Sequence, residues 1–191
     1  MRLQQELLEF SNPNHDDRGR FTDSAGKSAG QIVKGIKTEG GATVDPKTGQ
    51  SVRTGFSVGG VLKARKIPVG DFSTKEGVDK ARAGIRSWIL DTAEKGVFDH
   101  PQFKAGAWYN SRTKNIEIEP AEHISNQDKA SKLGRERHQE GVQDLTKIGE
   151  AGYISTEGSG HFVPSASPLQ KTSVVISQTK AIPIPIYTPK G

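Results

Sequence analysis

One stretch constrains the fold more than any other. From Ser73 to Gly96 the buried-type residues recur at a helical period: Val78, Ala81, Ile85, Trp88, Ile89 and Thr92 trace one face, and Lys80, Arg82, Arg86, Asp91 and Glu94 lie away from it. Ser73-Thr-Lys-Glu76 has the spacing of a capping box, and Gly96 stands where a left-handed residue closes a helix. The pattern predicts a helix running to about Lys95, with Trp88 as a core anchor. Such a helix needs a partner for its apolar face, and the sequence that follows supplies a sheet. Gly106-Ala-Trp-Tyr109 and Ile116-Glu-Ile-Glu119 flank the polar run Asn110–Asn115 and predict a β-hairpin. In that hairpin Ile116 and Ile118 are expected to face the core and Glu117 and Glu119 the solvent. Pro120, lacking an N–H, is expected to end the second strand.

Similar signals flank this centre. Ala42-Thr-Val44, the turn Asp45-Pro-Lys-Thr-Gly49 and the run Gln50 to Val58 read as strand, tight turn, strand. Ser125-Asn-Gln-Asp128 can cap a helix from about Gln127 to Glu140, with Ala130, Leu133 and Arg137 or Gly141 on its inner side. Val142 to Leu145, with Ile148, adds a few apolar contacts. The order β-β-α-β-β-α, without single alternation of strand and helix, predicts an α+β fold: a small antiparallel sheet with two helices over residues 38–155.

The flanks read differently. Leu3, Leu7, Leu8 and Phe10 fall near helical spacing in a piece too short to stand alone. A turn-rich run, Ser11 to Phe21, follows, and residues 22–31 read as a linker, so residues 1–37 form an N-terminal arm. Gly26-Lys-Ser28 is not a phosphate loop, because the GxxxxGK[ST] spacing and a preceding apolar strand are missing. The last 41 residues hold 5 Pro, 4 Gly and 10 Ser or Thr. There Val174, Val175 and Ile176 suit addition to a neighbouring sheet. Ile182-Pro-Ile-Pro-Ile186 suits neither a helix nor an interior strand, and extended it sets Ile182, Ile184 and Ile186 on one side. Residues 156–191 are thus expected to be an extended arm. Leu3, Leu7, Phe10, Val174, Ile176, Ile182, Ile184 and Ile186 are the expected partner-binding side chains.

Composition narrows the function. A hydrophobic fraction of 32% suits one modest core rather than a 191-residue globule. No apolar run approaches the ~20 residues of a membrane span, and the charged first ten residues lack a small-residue cleavage site, so neither a membrane anchor nor a secretory signal is expected. With no cysteine there is no disulfide, thiolate zinc site or cysteine nucleophile. The five histidines, at 15, 100, 123, 138 and 161, make no i, i+4 pair and no HExxH, and read as satisfied or surface residues. No metal, cofactor or small-molecule substrate is expected. The net charge of +5 is spread along the chain. Two local clusters, with Lys63, Arg65 and Lys66 in one and Lys132, Arg135 and Arg137 in the other, read as solvated faces with DNA contact as a secondary role. Glu117-x-Glu119 with Ser155-Thr-Glu157 contains pieces used by ADP-ribosyltransferases, but in the reverse order, and no catalytic residue is assigned.

Two stretches resemble known elements. Asn12-Pro-Asn-His-Asp-Asp-Arg-Gly-Arg-Phe21 is similar to an Asn-Pro-x-His…Gly-Arg-Phe element of head and head-assembly proteins of tailed bacteriophages, where it lies in arms beside folded domains. Gly40-Gly-Ala-Thr-Val-Asp-Pro-Lys-Thr-Gly49, Thr54-Gly-Phe-Ser-Val58, Gly106 to Ile118 and the helix from Arg135 to Asp144, with Gln139, Asp144 and Leu145 at its close, resemble one small uncharacterised domain of actinobacterial phages and prophages. The resemblance implies a non-enzymatic, virion-associated structural protein of the minor capsid or decoration type. Its partners would be capsid, portal or head-vertex subunits or further copies of itself, and it would be found in the virion and, during assembly, in the host cytoplasm. The alternative from another class is an effector or enzyme, ADP-ribosyltransferase-like at best, packaged in the virion and delivered to the host.

Overall fold

The computed structural model describes residues 22–164 and 167–169. The chain runs α1 (Thr22–Glu39), β1 (Gly41–Asp45), β2 (Gln50–Ser51), β3 (Phe56–Val58), β4 (Arg65–Pro68), α2 (Lys75–Glu94), β5 (Phe103–Asn110), β6 (Asn115–Ile124), α3 (Gln127–Glu136), β7 (Gly141–Asp144) and β8 (Tyr153–Ser155). All strand pairs are antiparallel, in the order β2-β1-β5-β6-β3-β7-β8, with β4 also on β6. The α+β class with an antiparallel sheet holds, and the sheet is larger than the hairpin pair expected. The expected arm residues Leu3, Leu7, Phe10, Val174, Ile176, Ile182, Ile184 and Ile186 lie outside the described residues.

The expected linker over 22–31 is instead the first half of α1. Its glycines and serines disguise an apolar face at i, i+4, i+7, i+8 and i+11, and Ala25, Ala29, Ile32, Val33 and Ile36 are all buried. That face packs on β1 and α2 and joins one core with Ile85, Trp88, Ile89, Phe98, Ile116 and Ile118. Burial of each large side chain contributes roughly 1.5–3 kcal/mol, which outweighs the weak helix propensity of glycine. α2 follows its periodicity, except that Thr74 rather than Ser73 is the N-cap, its Oγ1 accepting from the Gly77 N–H at 3.0 Å. Gly96 takes the expected left-handed φ of 71°. α3 ends at Glu136, short of the expected Glu140, because the chain turns through His138 at φ 55°.

The sheet is curled, and the curl follows from connectivity. The expected second strand, Gln50 to Val58, splits: β2 pairs with β1, whereas β3 pairs with β6 and β7. The Val52 N–H still bonds the Thr43 carbonyl, at 2.8 Å. From there to Phe56 the chain has four Cα steps, at most about 14 Å. In a flat sheet four strand spacings would separate these positions by about 19 Å. The sheet therefore bends until Thr43 Oγ1 on β1 lies 3.4 Å from Ser57 Oγ on β3, across the two intervening strands. Gly106 lies under this contact, where an added β-carbon would sit 3.4 Å from Ala121 Cβ and 3.9 Å from Ser57 Oγ, ordinary packing distances.

Among the described residues the helices cover the outer, convex face. Ala42, Val44, Ala105, Ala107, Ile116 and Ile118 meet α1 and α2, and Phe56, Val58, Ile124, Val142 and Ile154 meet Ala130 and Leu133 of α3. β6 is the spine, and it passes straight through Pro120, which corrects the expectation that the strand ends there. The His123 N–H bonds the Gln102 carbonyl on the β5 side, so alternation turns the nitrogen of residue 120 to the opposite edge. On that edge β4 pairs with residues 115–118 and β3 with 122–124, leaving a notch at 119–121. Pro120 faces the notch, where no ladder bond is lost.

Candidate functional site

The notch is filled by a polar cluster drawn from three elements. After β3 the chain kinks through Gly59 and Gly60, the latter at φ 76°. The Gly60 N–H donates to Glu119 Oε2 at 3.0 Å. From the end of α3, Arg137 Nη1 donates to the Gly59 carbonyl at 3.2 Å, and Nη2 ion-pairs with Glu122 Oε2. Gln139 Nε2 donates to the Arg137 carbonyl at 3.2 Å. A β-carbon on Gly59 would collide with both Glu119 Oε1 and Gln139 Oε1, and one on Gly60 would lie 2.8 Å from Gln139 Nε2. Only glycines allow the backbone so close to these side chains.

Glu119 is 9% exposed and Arg137 2%. Burial pushes the Glu119 carboxyl up to about 7; the Gly60 N–H and the Arg137 charge oppose the rise, and Glu117 adds to it. Around neutrality it exchanges a proton. This corrects the expectation of a solvent-facing Glu117/Glu119 pair. Glu117 stays half-buried and accepts from Asn110 Nδ2 at 3.1 Å, whereas the curl and the Gly59–Gly60 turn bury its neighbour. The sequence did carry signals for the notch, the Gly59-Gly60 doublet and Gln139, but an isolated glycine pair reads as a loop and the alternation of Ile and Glu read as one wet face.

The other expected sites separate. Arg137, expected among the nucleic-acid-facing cations, is internal and pairs with Glu122. Lys63, Lys66, Lys132 and Arg135 are exposed, and Arg65 Nη1 pairs with Asp91 at 3.0 Å. The two clusters lie on different elements, one on β4 and the loop before it, the other on α3. His123 Nε2 meets the Thr54 carbonyl at 2.7 Å, and the His100 ring stands edge-on to Phe103. Ser155 and Glu157 lie in and after the edge strand β8, away from Glu117 in the ladder. Among the described residues no group of three or more His, Asp or Glu is placed to hold a metal ion, and no helix is long and apolar enough to cross a membrane.

Two more features frame the surface. Lys104 Nζ pairs with Asp45 Oδ2 at 2.5 Å. Burial alone would raise Asp45, but Lys104 and the N–H groups of Lys47 and Thr48 outweigh it and hold the carboxyl below its ordinary value. Trp108, Ile148 and Tyr153 are large apolar side chains left 39%, 64% and 53% exposed.

Comparison of the chain with protein-family models, with curated proteins and with solved structures finds no match in any of the three.

Proposed function

We propose that this protein is a non-enzymatic structural component of a tailed-phage particle, a minor capsid or decoration subunit that docks on neighbouring subunits. The reading rests on the resemblance of residues 12–21 and of the middle of the chain to phage head-associated elements. The observation that carries it is the exposure of Trp108, Ile148 and Tyr153 on a unit whose carboxylates turn inward: buried Glu119 to Gly60, and half-buried Glu122 and Asp45 to Arg137 and Lys104. Exposed aromatic side chains of this kind gain most when a partner desolvates them. The partners are other structural subunits of the particle, and the location is the virion.

The test is incorporation. Trp108→Ala and Tyr153→Ala, singly and together, are introduced into the protein as made during phage assembly, and purified particles are assayed for the chain and for cross-links to their subunits. The expected result is reduced incorporation of the double variant with an unchanged circular dichroism spectrum of the free protein. Full incorporation of the double variant, or particles devoid of the wild-type chain, would overturn the reading. A packaged effector acting through Glu117 and Glu119 draws on the raised Glu119, but the enclosure of that carboxyl by Gly59, Gly60 and Gln139 weighs against its touching a substrate.

A further inference from the structure

The sheet ends at β8, and that edge is open. The Thr156 N–H donates to the Glu140 carbonyl at 2.9 Å, and the register sets Ile154 opposite Val142. By the alternation of an antiparallel ladder, Ile154 and Thr156 turn their main-chain groups to β7, and Tyr153 and Ser155 turn theirs outward. The Tyr153 N–H folds back on the Glu150 carbonyl. The Tyr153 carbonyl and both main-chain groups of Ser155 are bonded by no described residue. Tyr153 does not block the approach: a β-carbon on Gly141 would collide with its ring, so the ring lies back over β7. Tyr153 and Ile148, just before the turn Gly149–Gly152 that leads into β8, stay exposed beside the edge.

We propose that β8 takes up an extended segment of a partner protein carrying cationic side chains, which joins the sheet as a further strand. Edges that must stay unpaired are blunted by lysine, proline, a bulge or a cover. Tyr153-Ile154-Ser155 has neither charge nor proline, and an added strand satisfies its free groups while lying against Tyr153 and Ile148. Charge names the partner. Between Glu140 and Gly160 four acids stand against one lysine, in a chain of net charge +5. That lysine, Lys147, pairs with Asp144 at 3.2 Å, and exposed Glu140, Glu150 and Glu157 have no ion-pair partner among the described residues. Glu150 stands before β8 and Glu157 after it, so negative charge flanks the strand at both ends. A second copy of this chain is a poor occupant. Two β8 strands paired antiparallel would bring Glu150 of each toward Glu157 of the other, and paired parallel would set each glutamate toward its own counterpart. A segment with Lys or Arg toward both ends meets opposite charge in either direction.

The inference rests on the docking reading and narrows its partner, and its test needs no particle. The full-length protein is presented to a yeast-displayed library of random short peptides. Enriched peptides are synthesised and titrated by fluorescence anisotropy, and amide shifts locate the site. The expected peptides carry Lys or Arg toward both ends and move the amides of residues 141–143 and 153–155. They are expected to lose binding in Ser155→Pro, which removes the outward N–H and no bond to β7. Glu150→Lys with Glu157→Lys is expected to weaken them about tenfold. No enrichment, enrichment of neutral or acidic peptides, shifts confined elsewhere, or unchanged affinity in Ser155→Pro would overturn the proposal. Should Ser155→Pro fail to fold, the double charge reversal decides alone, and unchanged affinity rejects the proposal. Peptide binding at β8 alongside full incorporation of the Trp108→Ala, Tyr153→Ala variant sinks the particle reading only. Lost incorporation without peptide binding sinks the added strand only.

Discussion

The backbone N–H of Gly60 and the carboxylate of Glu119, 59 residues apart in sequence, meet at 3.0 Å inside the notch between β3 and β4. The bond ties the spine strand of the sheet to a backbone kink that only glycines can form. It also sets a buried acid beside one positive charge, Arg137, which Glu122 already pairs. Stability, pH response and tolerance of substitution at this place all follow from that arrangement.

Stability should fall as pH rises through neutrality. The folded state holds the Glu119 proton up to about 7, while the unfolded chain releases it near 4.5. Between those values the folded form binds more protons, so this contribution is complete below pH 4.5 and lost as pH passes 7. The full span is on the order of 3 kcal/mol. Urea unfolding at pH 5 and pH 8 measures it, and Glu119→Gln should flatten the difference. Asp45 and Asp144, held below their ordinary values by Lys104 and by Thr146, act oppositely and only in more acidic solution.

Breaking the Arg137–Glu122 pair from one side should be worse than removing both partners. Arg137→Met strands the Glu122 carboxylate in a half-buried site and should cost roughly 3–5 kcal/mol, whereas Arg137→Met with Glu122→Leu should recover much of that loss. A double-mutant cycle from denaturant unfolding gives the coupling. The same treatment of the exposed Arg65–Asp91 pair should yield about 0–1 kcal/mol.

Gly60→Ala should destabilise by about 1–3 kcal/mol, since its φ of 76° disfavours a β-carbon and that carbon would press on Arg137 and Gln139. Gly70→Ala is the control: it has a similar φ of 68° and nothing within 4 Å of the added carbon, so it carries the backbone cost alone. Melting temperatures of the two variants separate strain from crowding.

Ala29→Asp discriminates a helix in the core from a linker. A linker would accept the aspartate with little change. In α1, where Ala29 is fully buried, an uncompensated carboxylate should remove several kcal/mol or abolish folding, as read by near-ultraviolet circular dichroism.

What could be read in advance followed the strength of the local pattern. α2 and the β5–β6 hairpin were legible because large apolar residues mark their buried faces, Gly96 closes the helix and the polar run Asn110–Asn115 marks the hairpin turn. α1 was not, because two of the five apolar residues on its buried face are the small Ala25 and Ala29, and Gly26, Gly30 and Ser28 give it the composition of a linker. Glu119 and Pro120 misled for a shared reason. Alternation and strand-ending rules assume a strand with one wet face and neighbours along both edges. The curl buries the second face of β6, and the notch removes a neighbour where the proline needs none. Gly59 and Gln139, 80 residues apart, take their role from tertiary closure alone.

The split strand has a consequence for how the chain comes into being. β1 has its main ladder with β5, and β3 and β4 both lean on β6, so residues 41–68 find their long partners only after Ile124 has been made. Until β5 has been made, residues 22–68 have one short ladder, β1 with β2, and a helix with no wider sheet to lie on, and β3 and β4 wait longer, for β6. Synthesis on the ribosome must therefore carry an open, sticky half-product through some sixty residues before the curl can close, and truncation anywhere before β6 should leave an insoluble fragment rather than a smaller domain.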